Sequence, residues 1–371
     1  GPWEPERSHG VYDGTRMLGC GGILTREITV PGPAKVPAAA VTFVGVLPDA
    51  RRRGVLSTLM RAQLDGLHET TAEPVAVLWA SQPTIYGRFG YGVASRHAVI
   101  RVPAQAAFHS GCAWDGQVEL LGADAAAAPM RSVHAALAEH RVGWLSRPES
   151  SWRSWLADIP SARGKASAFR YLVHNGADGP GGYAVLRFAP AEQPMGPDQR
   201  INVQEIMATG LPATVGLWRA MLDLDLVVDV DYWNLALDDP LLLVLEQPRG
   251  VITAIGDGLW VRLVDLDRAL VARGYAAPCS VVLEVSDAFC PWNGGRWRLD
   301  VDGTGVATVE RTTAAADLRC DVAALGAAYL GGTRLSTLAG AGRVQELRPN
   351  ALVNASRAFA GDAEPYCPEV F

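Results

Sequence analysis

One stretch near the amino terminus constrains the fold more than any other part of the chain. Residues 40–46 form an apolar run that predicts a strand, and Pro48 ends it. Three consecutive arginines, Arg51 to Arg53, and a glycine follow, and apolar residues then recur at helical spacing. Residues 75–80 predict the next strand, and residues 93–102 predict another. This order indicates a parallel β-α-β unit whose loop opens at the carboxyl end of the first strand.

The arginines of this loop stand where the helix begins. The first turn of a helix has unpaired backbone N–H groups and partial positive charge, so cations there repel unless an anion is bound. A net charge of −6 argues against general nucleic-acid binding, so we expect a local site for a small polyanion. Backbone N–H groups and guanidinium groups together suit phosphate. The alternative is an arginine-rich, solvated helix start.

Two other phosphate-binding loops are excluded by spacing. No Gly-x-Gly-x-x-Gly follows the strand, which argues against a dinucleotide site. The run that begins Gly164-Lys165 has Ile159 where a nucleoside-triphosphate loop needs its first glycine.

The patterns farther along the chain indicate two more regions. Residues 201–230 again read as strand, helix and strand, but without an arginine-glycine loop, which predicts a related fold without a phosphate site. From about residue 249, a strand, a helix and short strands separated by Gly and Asp turns follow. At 371 residues the chain is too long for one ordinary domain. We expect three domains, comprising residues 1–108, 109–247 and 248–371.

Composition narrows the class of protein. With 49% hydrophobic and 19% charged residues, and no apolar run of roughly 18 residues, the chain reads as globular, without a membrane helix. The six cysteines show no Cys-x-x-Cys spacing, so we expect free thiols, a cytoplasmic location and no metal site. The opening shows no basic and apolar signal pattern and no methionine, which predicts an incomplete amino-terminal part and no signal peptide.

The loop Arg51-Arg52-Arg53-Gly54-Val55-Leu56 resembles the Arg/Gln-x-x-Gly-x-small pyrophosphate loop of the GNAT acetyltransferases, with Leu56 at a position often held by Gly or Ala. The chain also resembles the Eis (enhanced intracellular survival) family of multi-domain GNAT N-acetyltransferases. This resemblance rests on the loop, on residues 81–92 (SQPTIYGRFGYG), on the chain length and on the terminal phenylalanine. The resemblance covers essentially the whole chain and is strongest over residues 41–92 and 258–273.

The resemblance implies a fold of the α/β (α+β) class. Two tandem GNAT-like domains, each a mixed sheet flanked by helices, would be followed by a sterol-carrier-protein-like α+β domain. The second GNAT-like domain would lack the cofactor. A hexameric assembly is also implied.

The resemblance also assigns a cofactor, acetyl-CoA, and the residues that bind it. Backbone groups of two strand residues would pair with the pantetheine arm, the loop would hold the pyrophosphate, and a serine would lie beside the thioester. These residues are Val44 and Val46, then Arg51, Arg52, Gly54 and Leu56, and finally Ser81. A structural interpretation stands beside each, since Val44 and Val46 fit a core strand and Ser81 fits a turn cap.

Acetyl transfer to an amine needs a base and a proton for the departing thiolate. The resemblance assigns the acid to Tyr86, and a tyrosine with a pKa of about 10 keeps its proton at neutral pH. Tyr91 is the better candidate for a structural tyrosine. The base would be the terminal carboxylate of Phe371, which at a pKa of about 3.3–3.7 works through water or by fixing the amine. The placement of Glu369 stays open.

Three functions are compatible with the sequence. The first is N-acetylation of primary amines of a small molecule, either aminoglycoside-like, polyamine or lysine-like. The second is acyl transfer to an unrelated acceptor in a specialised biosynthetic pathway. The third is a non-catalytic lipid-binding or interaction protein, against which the intact loop and Tyr86 argue. The pocket for a cationic acceptor would be lined by aromatic faces and negative charge, and the candidates are Trp3, Trp79 and the acidic tail. The expected partners are that amine and further copies of the chain, with no nucleic acid and no membrane.

Overall fold

The computed structural model describes residues 3–191 and 199–371, whose contacts divide into two compact units. The first unit comprises the residues up to Arg96, together with Arg141–Pro148 and Asp257–Phe371. The second comprises His97–His140 and Glu149–Gly256. No helix in the described ranges has the length and apolar composition that a bilayer crossing requires.

The first unit begins with the predicted β-α-β arrangement. Its elements are β1 (Ser8–Asp13), β2 (Arg16–Val30), β3 (Ala34–Val46), α1 (Val55–Thr70), β4 (Val75–Trp79), α2 (Pro83–Tyr86) and β5 (Gly92–Val93). Strands β3 and β4 are parallel, so the predicted crossover through α1 is confirmed. The helix forms because its apolar residues recur on one face, and Leu59, Met60 and Leu64 are buried there.

The second unit is built on a seven-stranded sheet. Its elements are β6 (Arg96–Pro103), β7 (Gln117–Leu121), α3 (Ala123–Ala138), α4 (Glu149–Trp155), β8 (Arg170–Gly176), β9 (Gly179–Pro190), β10 (Gln199–Ala208), α5 (Leu211–Leu222), β11 (Val227–Ala236), α6 (Leu241–Val244) and β12 (Ile252–Asp257). The strand order is β12-β6-β11-β10-β9-β8-β7. Strands β10 and β11 are parallel and joined by α5, which confirms the second predicted β-α-β unit.

The carboxyl-terminal part of the first unit contains the remaining elements. They are β13 (Leu259–Leu263), α7 (Leu266–Val271), β14 (Cys279–Ser286), β15 (Gly295–Val301), β16 (Ala307–Arg311), β17 (Leu318–Asp321), α8 (Val322–Ala328), α9 (Leu335–Gly340), β18 (Val344–Glu346) and α10 (Ala351–Phe359). Five of the strands form a sheet in the order β16-β15-β14-β17-β18.

Strand β13 does not join that five-stranded sheet. It lies in the amino-terminal sheet, whose order is β1-β2-β3-β4-β13-β5. Val261 is paired with Val77 of β4, and Trp260 is paired with Val93 of β5. The sheet of the predicted range 1–108 is therefore completed by a strand from the predicted range 248–371.

The expectation of one strand over residues 93–102 is wrong. The structure divides this run into β5 and β6, which belong to different sheets. The backbone N–H groups of Ala94 and Ser95 both donate to the carbonyl of Leu259, at 2.9 and 3.1 Å, so the chain turns away from the first sheet there. An apolar run shows that residues are buried but does not show in which sheet, so the sequence could not reveal this break.

Candidate functional site

The candidate site lies entirely in the first unit, where β3 and β4 separate at their carboxyl ends. Within the described chain, β3 pairs with β4 only over Ala38, Ala39 and Ala40, although β3 continues to Val46. On its other side β3 stays paired with β2, with a register shift beside Phe43, whose φ is 52°. The separation leaves the end of β3 open toward β4, where an extended ligand can pair with its backbone.

Val44 and Val46 occupy this open end of β3. Both side chains are half-buried and pack against apolar clusters of the first unit. The side chains therefore hold the strand in place. Their predicted contact with a pantetheine arm would be made by the backbone, as in strand addition.

The arginine loop presents a row of free backbone donors. Within residues 3–191 and 199–371, no backbone N–H from Arg51 to Ser57 donates a hydrogen bond to the protein. The first such bond in the helix runs from Thr58 to the carbonyl of Gly54, at 3.0 Å. Gly54 itself has a φ of 84°, a left-handed conformation that glycine adopts without the steric cost of a side chain. The loop therefore offers an anion both the helix dipole and several N–H donors.

The three arginines differ in their charge partners. Arg51 and Arg52 are exposed, and neither forms an ion pair with any residue that the structure describes. Arg53 is also exposed, but its Nη2 lies 3.8 Å from Oδ2 of Asp13. The two arginines assigned to the pyrophosphate are thus the two whose charge is not neutralised.

Leu56 takes part in the loop in a more limited way. Its side chain is half-buried and packs against the apolar cluster between α1 and the sheet. The side chain thus has a packing role, and what Leu56 can offer a ligand is its free backbone N–H.

The two tyrosines of the 81–92 motif have different environments. The Tyr86 side chain, at the end of α2, is 6% exposed, and its hydroxyl has no hydrogen-bond partner among the described residues. Burial raises its pKa, so it stays protonated at neutral pH. Tyr91 is fully enclosed, burial raises its pKa further, and its hydroxyl is buried without a partner in the described chain. Tyr86 can donate a proton to a ligand, whereas Tyr91 has a packing role.

The carboxyl tail meets the end of β4. The indole Nε1–H of Trp79, the last residue of β4, donates to the backbone carbonyl of Glu369 at 2.8 Å. Ser81 follows Trp79 by two residues and is exposed. Phe371 is half-buried and packs against the core of the first unit. Its Cα can lie at most about 7 Å from that of Glu369, so Phe371 stays near this strand end.

Glu369, which the sequence left open, forms a buried ion pair with Arg147. Their side chains are 8% and 1% exposed. The sequence did not reveal Arg147, because the two residues are 222 positions apart and nothing local marks the pair. Glu369 is therefore committed to an arginine rather than free to take a proton from an acceptor.

The candidate wall residues have different positions. Trp3 is 43% exposed, and its ring meets that of Phe43 edge to face, with 5.0 Å between centroids. Trp79 is half-buried and packs against the core, so its role is largely structural. The exposed aromatic faces beside the β3 register shift are those of Trp3 and Phe43. In the described ranges, no group of three or more His, Cys, Asp or Glu side chains is placed to hold a metal ion.

Family models match the chain in three successive segments. An acetyltransferase (GNAT) domain matches residues 1–94, a second acetyltransferase (GNAT) domain matches residues 143–263, and a sterol carrier protein domain matches residues 266–368. N-acetyltransferase Eis of Mycobacterium tuberculosis is 34% identical, covering 95% of this chain and 85% of the relative.

The chain belongs to the Eis family of GNAT N-acetyltransferases. An uncharacterized N-acetyltransferase of Streptomyces avermitilis is 42% identical, covering 99% of this chain and 90% of the relative. The crystal structure of Eis1 from Mycobacterium abscessus superposes with a TM-score of 0.85 at 33% identity, covering 100% of this chain and 92% of that chain.

These comparisons confirm the predicted fold class and the predicted kind of enzyme. The Eis-type chain has two GNAT domains followed by a sterol-carrier-like domain, with three mixed sheets flanked by helices. It is an N-acetyltransferase of the GNAT type, and thus an acyltransferase.

Proposed function

We propose that this protein transfers an acetyl group from acetyl-CoA to a primary amine of a small molecule. The observation that carries the proposal is the row of free backbone N–H groups from Arg51 to Ser57, with Arg51 and Arg52 unpaired beside it. A pyrophosphate supplies several anionic oxygens, which match this set of donors and charges.

Acetyl-CoA would supply the activated acetyl thioester. Arg51, Arg52 and the free N–H groups that follow them would hold its pyrophosphate at the start of α1. The open end of β3, with Val44 and Val46, would hold the pantetheine arm. Ser81, at the end of β4, would then lie beside the thioester.

Tyr86 would act as the general acid. Its hydroxyl is not engaged by any described residue, and its raised pKa keeps the proton on the oxygen until a thiolate departs. Positioned proton transfer of this kind contributes roughly 10²–10⁴ in rate.

The terminal carboxylate of Phe371 would act as the base. The tail that carries it is held at the end of β4 through Glu369, which supports a fixed rather than frayed terminus. A carboxylate of low pKa would take the amine proton through a water molecule or orient the ammonium before it loses its proton.

The acceptor would be a cationic amine, such as an aminoglycoside-like compound, a polyamine or a lysine-like molecule. The exposed rings of Trp3 and Phe43 lie beside the open end of β3 and offer faces for an ammonium group. An amine from a specialised biosynthetic pathway would use the same chemistry.

The lipid-binding alternative receives no such support from the carboxyl-terminal domain. A surface groove of about 290 Å³ between α9 and α10 is open to solvent and is lined by Arg334, Glu346 and Arg357 together with Leu352 and Val353. A sterol needs an enclosed pocket that buries most of its surface.

Release of free CoA thiol from acetyl-CoA tests the proposal. The purified protein is incubated with acetyl-CoA and a panel comprising an aminoglycoside, a polyamine and lysine, beside a sample without amine. We expect amine-dependent thiol release for at least one member and an acetylated product by mass spectrometry. The same slow release with and without every amine would contradict N-acetyl transfer to this class of acceptor.

A further inference from the structure

The last residues of the chain are held at several points. Residues 365–369 are buried, and the backbone N–H of Tyr366 donates to the carbonyl of Val142 at 2.8 Å. The carbonyl of Glu369 accepts from the Trp79 indole at 2.8 Å and from the Cys367 thiol at 3.3 Å. The tail is therefore an ordered part of the first unit up to the third residue from its end.

Arg147 approaches the tail from a segment far away in sequence. This segment, Arg141–Pro148, lies along the end of β2. Two backbone hydrogen bonds join it to Thr29. The Thr29 N–H donates to the carbonyl of Trp144 at 2.9 Å, and the Gly143 N–H donates to the carbonyl of Thr29 at 2.8 Å. Arg147 is thus held by the sheet, and it brings a fixed cation to Glu369.

A second arginine, Arg26, also lies near the buried carboxylate of Glu369. Arg26 is 3% exposed and interacts electrostatically with both Glu369 and Glu4, and its Nη1 lies 3.8 Å from Oε1 of Glu4. Two arginines and two glutamates therefore form one charged group, in which Glu4 is the most exposed member at 24%. Removing Arg147 takes away the cation that pairs directly with the buried Glu369 carboxylate, which favours displacement of this part of the tail toward water.

We propose that Arg147 is a positioning residue that holds the terminal carboxylate of Phe371 in the active site through the side chain of Glu369. This inference rests on the proposed function, in which that carboxylate is the base. Glu369 precedes the terminus by two residues, so a displacement of Glu369 moves the carboxylate by a comparable distance. A shift of even 1 Å in a positioned group can reduce the rate substantially.

The test compares Arg147→Met, deletion of Phe371 and the combination of the two. Arg131→Met is the matched control, because Arg131 forms an exposed ion pair with Glu149 in the second unit. Three quantities are measured: kcat with the best amine of the panel, the Kd of acetyl-CoA by calorimetry, and the rate at which carboxypeptidase releases Phe371.

We expect Arg147→Met to lower kcat at least about tenfold and to speed the release of Phe371, with the Kd of acetyl-CoA unchanged. The combined variant should be no slower than the Phe371 deletion alone, because both changes remove the same group. Arg147→Lys, which keeps a cation, should recover part of the rate, and Arg131→Met should match the unmodified enzyme.

The inference is overturned if Arg147→Met keeps full kcat, or if the two losses multiply in the combined variant. Should Arg147→Met fail to fold, Glu369→Gln removes the negative charge that pairs with Arg147 while keeping a side chain of the same size. Unchanged Phe371 release and kcat in that folded variant would also overturn it. If deletion of Phe371 itself leaves kcat unchanged, the terminal base of the proposed function is wrong. That result differs from one in which the deletion lowers kcat but Arg147→Met does not, which would contradict only the role of Arg147.

Discussion

Arg51 and Arg52 differ from Arg53 in having no carboxylate partner in the described chain. Replacing Arg51 and Arg52 by alanine should weaken acetyl-CoA binding, because each would lose charge-assisted hydrogen bonds of roughly 1.5–3 kcal/mol. Calorimetric titration measures the Kd, and Arg53→Ala serves as the matched control with a smaller effect. An unchanged Kd in the double variant would show that the pyrophosphate binds elsewhere.

Tyr86 and Tyr91 lie in one motif, with 6.0 Å between ring centroids, yet only the first can reach a ligand. Tyr86→Phe should lower kcat by roughly 10²–10⁴ while leaving the Kd of acetyl-CoA unchanged, because it removes a proton donor. Tyr91→Phe removes a buried hydroxyl that has no described partner and should leave kcat nearly unchanged. The reverse order of effects in steady-state kinetics would exchange their roles.

If Tyr86 is the general acid, as proposed, its raised pKa also sets the pH dependence of turnover. Because the protonated hydroxyl is the active form, kcat should fall only when the pH exceeds the pKa of Tyr86, which burial moves above its usual value of about 10. Below that pH, kcat/KM should increase as the pH is raised, because a larger fraction of the amine is then unprotonated. Profiles between pH 6 and about pH 10 check this, and a decline of kcat near neutral pH would argue against a tyrosine acid.

Among the elements, the turn that carries Tyr86 depends on glycine. Gly90 has a φ of 84°, and a Cβ there would lie 2.6 Å from Nη1 of Arg262. Gly90→Ala should therefore reduce the free energy of unfolding by about 1–3 kcal/mol. Gly87→Ala is the control, since Gly87 is helical with nothing within 4 Å of its Cβ position. Urea unfolding measures both, and equal stabilities would refute the steric argument.

The sequence predicts elements well where a pattern is local. The strand, arginine loop and helix from β3 to α1 follow from an apolar run, a proline and a helical period. The structure has all three, although β3 begins at Ala34, six residues before the predicted start. The separation of β5 from β6 and the position of β13 could not be predicted in this way. Both depend on hydrogen bonds between residues far apart in sequence, such as Ala94 and Leu259.

At the scale of the whole molecule, the proposed terminal base would make activity depend on the exact position of the Phe371 carboxylate. An added carboxyl-terminal glycine would move that charge by up to about 3.5 Å, beyond the 2.6–3.2 Å that proton transfer requires. The extension and the deletion of Phe371 should both lower kcat strongly, with thermal stability and the Kd of acetyl-CoA nearly unchanged. A protein with an amino-terminal tag is the control. Full activity with a carboxyl-terminal tag would exclude the terminal base.

The candidate site could be predicted from sequence in part. The loop and the motif with Tyr86 are contiguous stretches, so their residues could be named before the structure was known. The contacts that fix the tail join Trp79 and Arg147 to Glu369 across 290 and 222 residues. Neither contact has a local pattern, so only the folded chain reveals them.

The insertion of β13 between β4 and β5 has a consequence for synthesis. About 165 residues separate the end of β5 from the start of β13, which corresponds to roughly 10–30 s on the ribosome at 5–20 residues per second. During that interval β4 and β5 have open backbone edges that pair readily with other chains. Nascent chains on one polysome therefore have the same unpaired strand edges exposed until Leu263 has been synthesised. A ribosome-associated chaperone that covers these edges would raise the yield of folded enzyme.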